Sequence, residues 1–527
     1  MARFDFCGGS YTSQAVAFDC QRSVNLYPEI NESGDGKSKM ALYPTPGLKL
    51  LTTLEAAPRA QLEFNGRHFI VAGTKLYEGI ATLDIHGSFV SLAMNVLNPA
   101  TPIVNDFLPA SMAANETQLL IASGGFVYVY YLATMTDSVT LLPVAAGTFV
   151  QVPISSFTLP SGNAPVIQVA FCDSFFLALI ANSQTVCISD VLDGRNWDQN
   201  GQIVVSVYPD NIVSMIVDHR EVWLLGRKKS VVYFSSGSLS VFDVAPGGYL
   251  EQGSGSTFGP ALLDNSMLWV GGDDRGNAMA WRATGYSAQR ISTHAIEFAW
   301  QGYPKISDCV SYSYQDQGHA FWVIFFPSAN NFLGATWIYD TATSLWHERD
   351  FLNTTTGIAQ GHPSWNHAFA FGIHIVGDWG SGKLFWQSIN FFDNNGTNII
   401  RLRRAPHIAN EMQWQRYSQL ELDMDVGQGW ASDDATHAMN NIVQTPKVFM
   451  RFSDDSGKTW SNAQSASVGF QGQTKQRVVW RRLGRSRVRT FEITFSEATP
   501  FRIVDAYVRG SNQTASERLP HMLRKSA

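Results

Sequence analysis

The sequence contains no long apolar run: no stretch approaches the roughly 18 to 20 uninterrupted apolar residues a membrane helix needs. Its N-terminus, MARFDFCGGSYTSQ, lacks the basic-then-apolar layout of a signal peptide. The expectation is a chain found in the cytoplasm when made, with no membrane partner. Cysteine is sparse as well. Cys7, Cys20, Cys172, Cys187 and Cys309 are odd in number, scattered and without a C-x-x-C pair, and read as buried thiols, not as metal or redox groups. The 12 histidines include no H-E-x-x-H, and the local group His362, His367 and His374 lacks a carboxylate at metal-binding spacing. A G-x-S-x-G nucleophile elbow is missing too. These absences leave no catalytic constellation, no metal site and no cofactor, and predict a protein that is not an enzyme. Charged residues make up only 16% of the 527, while Gly, Trp, Phe and Tyr are plentiful, a balance that suits many short strands joined by tight turns.

What is present is a repeat. An apolar or aromatic strand, a short polar turn and a second such strand recur from Phe64, Asn115, Cys172, Asp218, Asp264, Gly318 and Gly372. A four-stranded propeller blade takes about 40 to 50 residues, and helical repeats would place apolar residues every three to four positions. The spacing therefore predicts an all-β chain with a seven-bladed β-propeller over 49–400. Residues 1–48 do not fit the repeat; with Pro28, Pro44 and Pro46 they read as an extended arm that closes the propeller or grips a neighbour. Beyond the repeat, alternation places Leu420, Leu422, Met424 and Val426 on one face, then Val448, Met450 and Phe452, then Phe491, Ile493 and Phe495. This predicts a C-terminal β-sandwich over 401–510. Residues 511–527 read as a flexible basic tail that orders on a partner or stays disordered.

Net charge divides unevenly. From Arg401 onward there are 19 Lys and Arg against 12 Asp and Glu, leaving 19 against 32 for the residues before it. The second domain is basic and the propeller acidic.

Among short motifs, Ser453, Asp455, Gly457, Thr459 and Trp460 match the Asp-box pattern S-x-D-x-G-x-T-W. It is similar to the sialidase Asp-box, which is a structural hairpin turn: Ser and Asp bind backbone amides, Gly takes positive φ, and Trp packs beneath. A glycosidase needs two carboxylates, or a tyrosine with an acidic partner, at a set separation. The pairs Asp273/Asp274 and Asp433/Asp434 stand in turn-like contexts and read as solvated loop residues. Gly377 to Lys383 has P-loop spacing, but Leu384 stands where a Mg²⁺-binding Ser or Thr belongs and no helix pattern follows, so it reads as a hairpin turn. Arg477, Arg481, Arg482, Arg485, Arg487 and Arg489 gather within about a dozen residues. Arg485, Arg487 and Arg489 share strand parity with Phe491 and Ile493, so a turn or bulge near Gly484 is expected. These arginines are candidates for a subunit contact, for proximity to DNA phosphates, or for simple solvation.

Several segments in order resemble one family, the tail hub or packaged-DNA stabilisation proteins of short-tailed phages. They are Asn25 to Glu29 followed by Tyr43 to Leu48, Ser189 to Gly194, Tyr208 to Val213, Val232 to Ser235, and Val479 to Arg487, whose VWRRLGRSR is similar to the family's "lWkRvGRiR" signature. The resemblance implies a structural virion protein of the viral tail: a homohexamer below the portal and its head-to-tail adaptor. The ring would extend the channel for packaged dsDNA, help close it after packaging, and offer attachment to a tail needle and to tailspikes or fibres. Two other functions are weighed: a sialidase-like glycan-processing propeller, and a protein-binding propeller of the WD-repeat kind, whose G-H and W-D dipeptides are absent.

Overall fold

The apolar strands Gln118–Ser123 and His319–Phe326 are buried along their whole length, and their counterparts in the other repeats are buried at most positions. A strand buried on both faces needs a sheet on each side. Stacking antiparallel four-strand units around a ring meets that need. The computed structural model describes residues 2–237, 241–273, 276–430, 438–439, 442–443 and 445–512.

Six units are sheets of their own. The first runs Pro58–Phe64, Arg67–Ala72, Lys75–Leu83 and Phe89–Val96. The second is Ser111–Ala114, Gln118–Ser123, Phe126–Tyr131 and Phe149–Gln151. The third is Val166–Cys172, Phe175–Ile180, Thr185–Asp190 and Asp193–Val204. The fourth is Ile212–Asp218, Glu221–Gly226, Ser230–Ser235 and Phe242–Leu250. The fifth is built on Ala261–Leu263, Ser266–Asp273, Gly276–Thr284 and Ser287–Arg290. The sixth joins Ser364–Ala370, Ile373–Asp378 and Lys383–Ser388 to an outer strand from far upstream, Gly47–Thr53. In that outer pairing Gly47 faces Ser388 and Thr53 faces Lys383. A Cβ on Gly47 would stand 2.4 Å from the Asp393 carbonyl oxygen and 2.5 Å from that of Phe391, so only glycine fits there.

Seven blades were expected, and six stand as separate sheets. The remaining repeat, Val310–Asp316, His319–Phe326, Ala335–Asp340 and Leu345–Asn353, is one end of a twelve-stranded sheet. Glu348 on its outer strand pairs in parallel with Val24 of Cys20–Val24, which carries the ladder on into the second domain. Repeat spacing counts strands within a unit but not what pairs with the outermost one.

Cores form between successive units. Phe69 and Val71 of the first sheet pack with Leu119 and Ile121 of the second. Leu268 and Val270 of the fifth pack with Trp322 and Ile324 of the four-strand run just described. Ile375 and Leu384 of the sixth return to Ile70 and Tyr77 of the first. Polar side chains on the innermost strands add cross-links: Ser111 Oγ donates to the Val169 carbonyl (3.1 Å), Ser214 Oγ to that of Thr257 (2.7 Å), and Trp365 Nε1 to that of Pro58 (2.6 Å).

The second domain has two facing sheets. One contains Ile503–Asn512, Gln415–Met424 and Val478–Arg481, extended by Leu26–Ile30 and Met40–Pro44. The other contains Arg401–Arg404, Val488–Phe495, Lys447–Ser453 and Gln464–Ser467 beside Cys20–Val24. Between them Leu420, Leu422, Val448, Met450, Phe491, Ile493 and Phe495 are buried together. Residues 2–44 thus lend strands to both sheets before the chain reaches the propeller. The 513–527 part of the basic tail, Asp274, and Asp433 and Asp434 lie outside the described residues.

Candidate functional site

The Asp-box forms the turn after Lys447–Ser453. Ser453 Oγ donates to Asp455 Oδ1 (2.7 Å) and accepts from the Gly457 amide (2.8 Å), while Asp455 accepts from the Lys458 and Thr459 amides (3.0 and 2.8 Å) and from Thr459 Oγ1 (2.7 Å). These donors hold the Asp455 carboxyl well below the usual carboxylate range. Ser456 and Gly457 take φ of 63° and 89°. The Trp460 ring has the guanidinium groups of Arg404 and Arg451 each 4.8 Å from its centroid. All of Asp455's bonding capacity is absorbed by its own turn.

Elsewhere the chemistry-bearing types are spent on structure. In the turn 377–383, Asp378 accepts from the Gly380 amide (2.9 Å) and from the Ser381 hydroxyl, and the next strand follows directly. His367 Nε2 meets His374 Nδ1 at 3.0 Å and His362 Nδ1 meets Ser364 Oγ at 2.6 Å; burial pushes His362 and His367 down to about 3. All five cysteines are free thiols, and burial pushes Cys7 and Cys309 up to about 12. Among the described residues no three His, Cys, Asp or Glu side chains converge as a metal site would need.

The arginine cluster divides into three environments. Arg477 forms a two-pronged pair with Glu421 (2.8 and 2.6 Å) and holds that carboxyl below its ordinary range. Arg489 is not on the surface. At 1% exposure it lies against Phe452 and Tyr417, 4.0 and 4.5 Å from their centroids, and binds both oxygens of Asp454 (2.6 and 2.7 Å) and the Leu483 carbonyl. Its parity with Phe491 and Ile493 carries it into the core, and the Asp454 carboxylate with two aromatic faces makes that position tolerable. It can therefore serve neither a subunit contact nor DNA.

The other four are exposed. Arg482 and Gly484, with φ of 59° and 79°, break the strand. Arg485–Ser486 then pairs with the start of Gln415–Met424, which frees Arg485 and Arg487 from the inward parity of Arg489. Their guanidinium groups flank Trp414 at 5.1 and 5.2 Å from its centroid. Two arginines missed in the sequence complete the face: Arg416 stands opposite Arg485, and Arg509 and Arg481 stand on either side of Gln419. The aromatic-cationic run Trp414-Gln415-Arg416 just before an alternating strand was the signal available for one of them. Among the described residues, Arg416, Arg482, Arg485 and Arg487 make no ion pair with a carboxylate. The result is an edge of unpaired, forked cations around a half-exposed indole, suited to carboxylates or phosphates of another molecule.

Comparison with known proteins covers both domains. Residues 2–386 match the family described as bacteriophage P22 Gp10, beta-propeller, and residues 400–511 the family described as bacteriophage P22 Gp10, beta-sandwich. No curated protein matches the chain. Among solved structures, the computationally designed Ika8 protein is similar at 10% identity and a TM-score of 0.36, over 65% of this chain and 100% of its own. A chain of the S. cerevisiae Dbp5 assembly with Nup159 and Gle1 is similar at 12% identity and a TM-score of 0.35, over 65% of this chain and 95% of its own. A glycoside hydrolase family 43 arabinoxylan arabinofuranohydrolase from Bacillus subtilis aligns at 10% identity and a TM-score of 0.26, over 87% of this chain and 96% of its own. At such scores these likenesses carry no argument about activity. The family matches are of another kind, since the first alone spans well over half the chain and the second follows it in order: the chain belongs to the bacteriophage P22 Gp10 family, the tail hub and packaged-DNA stabilisation proteins of short-tailed phages.

Proposed function

We propose that the protein is a structural, non-enzymatic hub of the virion tail, made in the host cytoplasm and assembled as a ring of six below the portal and head-to-tail adaptor. In that place it extends the DNA channel, helps close it after packaging, contacts packaged dsDNA without sequence specificity, and gives a tail needle and tailspikes or fibres their attachment. The match of both domains, in order, to one phage family carries this reading. The four-strand run that continues into the second domain packs between the fifth and sixth sheets. Counted with them it gives seven radial positions, one of which anchors the sandwich.

The unpaired arginine edge supplies a contact. The residues before Arg401 carry 19 basic against 32 acidic groups. A cationic edge meeting an acidic body on the next copy is a head-to-tail contact, which closes into a ring when its rotation divides a full turn. Reversing two charges tests it. Arg485→Glu with Arg487→Glu should leave the melting temperature of the purified chain unchanged, abolish assembly onto tail-less particles, and give heads that leak DNA. Normal infectivity of phage carrying both changes would remove these arginines from the interface. For the glycan-processing alternative, the single Asp-box lies in the sandwich and not in the propeller, and only turnover of a fluorogenic sialoside would revive it.

A further inference from the structure

A cavity of about 640 Å³ opens where the third, fourth and fifth sheets meet. Asn182 and Arg227 reach it from the turns that follow Phe175–Ile180 and Glu221–Gly226. Asn211, Thr257, Lys305 and Ser307 reach it from the connectors that lead into the innermost strands. Arg227 and Lys305 are both exposed, and neither makes an ion pair with a described carboxylate.

The nearby charges explain why. The neighbouring Lys229 is committed to Glu251 (2.8 Å) and to the Tyr208 ring (4.7 Å), and Asp210 Oδ2 accepts from the Lys228 and Lys229 amides (2.7 and 3.3 Å). Arg227 is thus left as a bare cation at the cavity. The connector bearing Thr257 is fixed from below: Ser254 Oγ donates to the Ser256 carbonyl (2.7 Å) and Ser256 Oγ to that of Cys309 (2.5 Å). Val213, Tyr303 and Ile306 give the cavity an apolar wall.

A fork-shaped cation, a point-charge cation, two amides and two hydroxyls around a space of this size match a phosphate group carried on a small organic body. We infer that this cavity is a binding site for a small phosphate monoester. The apolar wall takes the organic part, and Arg227 and Lys305 take the phosphate from two sides.

The test is isothermal titration of the full-length protein with glucose 6-phosphate, inorganic phosphate and succinate. Glucose 6-phosphate should bind saturably, more tightly than inorganic phosphate, which lacks the part that meets the wall. Arg227→Gln and Lys305→Gln should each weaken it by about tenfold or more, and the double variant should show no saturable binding at an unchanged melting temperature. The inference is overturned if glucose 6-phosphate gives no saturable isotherm, if the double variant binds it as the parent does, or if succinate binds as tightly.

Discussion

Arginines that look alike in the sequence end in different states because each finds, or fails to find, an acceptor far along the chain. Arg489 is the extreme case: its guanidinium is packed between Phe452 and Tyr417 and tied to Asp454, 35 residues away. Arg489→Ala removes that packing and strands Asp454 and the Leu483 carbonyl, which should cost about 2–4 kcal/mol, toward the low end because Asp454 is partly solvated. Arg485→Ala and Arg487→Ala, at exposed positions, should each cost under about 0.5 kcal/mol. Urea unfolding followed by tryptophan fluorescence separates the two outcomes, and equal small effects at all three sites would show that Arg489 is not a structural residue. Strand parity made three arginines candidates for the inward face and the turn residues near Gly484 suggested a break. Which arginine stays inward depends on Asp454 and Phe452, and no spacing within the cluster shows that. The Asp-box was legible almost bond by bond, because every partner lies within four residues of Asp455.

At the scale of elements, the N-terminal strands are double-faced, and alternation explains how. In Leu26–Ile30, Leu26 enters the sandwich core while Tyr27 joins Tyr312, Tyr314 and Phe321 on the propeller side; in Met40–Pro44, Leu42 and Tyr43 divide the same way. The sequence marked this stretch as extended and outside the repeat. It could not reveal that both faces are buried, since a short apolar-aromatic pattern reads alike for a core strand and for a strand between two domains. A charged latch sits on the same seam. His319 on the propeller bonds Asp340 through Nδ1 (2.8 Å) and Glu29 of the N-terminal strand through Nε2 (2.6 Å). Burial alone would lower its pKa, but the two carboxylates outweigh burial and hold it near 9, while burial, the Arg349 charge and His319 itself keep the neighbouring His347 neutral. A folded pKa above the unfolded value means that the protonated imidazole stabilises the fold fully below about pH 6.5 and that this contribution fades as pH rises toward 9. Stability measured by denaturant from pH 6 to 9.5 should therefore carry a falling component of about 1–3 kcal/mol that His319→Gln removes. An identical pH profile in the variant would show that the latch is electrostatically silent.

For the whole molecule, the question is whether propeller and sandwich are separate bodies joined by a linker or a single cooperative unit. Linked domains usually meet through modest, partly polar interfaces and unfold apart. Here the backbone itself crosses the seam: Cys20–Val24 pairs with Arg401–Arg404 on one side and touches Glu348 of the propeller on the other. Asn25, at a φ of 54°, turns the chain from one sandwich sheet to the other; its side chain donates to the carbonyls of Asp350 (3.1 Å) and Ile400 (2.8 Å) and accepts from the Asp350 amide (3.1 Å). Arg22 adds an ion pair with Glu348, and buried Arg403 clamps the segment by donating to the carbonyls of Phe6 (2.7 Å) and Gly9 (2.9 Å) and to Gln21 Oε1 (2.6 Å). A twelve-stranded sheet that runs through both domains cannot lose one part without exposing unpaired backbone groups of the other at the seam, which is costly when they are buried. Differential scanning calorimetry should accordingly show one transition for the parent chain. Asn25→Ala combined with Arg22→Ala removes the side-chain bonds at the crossing and a residue suited to positive φ, and should split the transition in two, the sandwich melting first because it borrows its outer strands. Two separated transitions in the parent would mean that the seam couples nothing. The stiffness that the proposed hub role asks for would then have to come from the neighbouring copies of the proposed ring and not from its own chain.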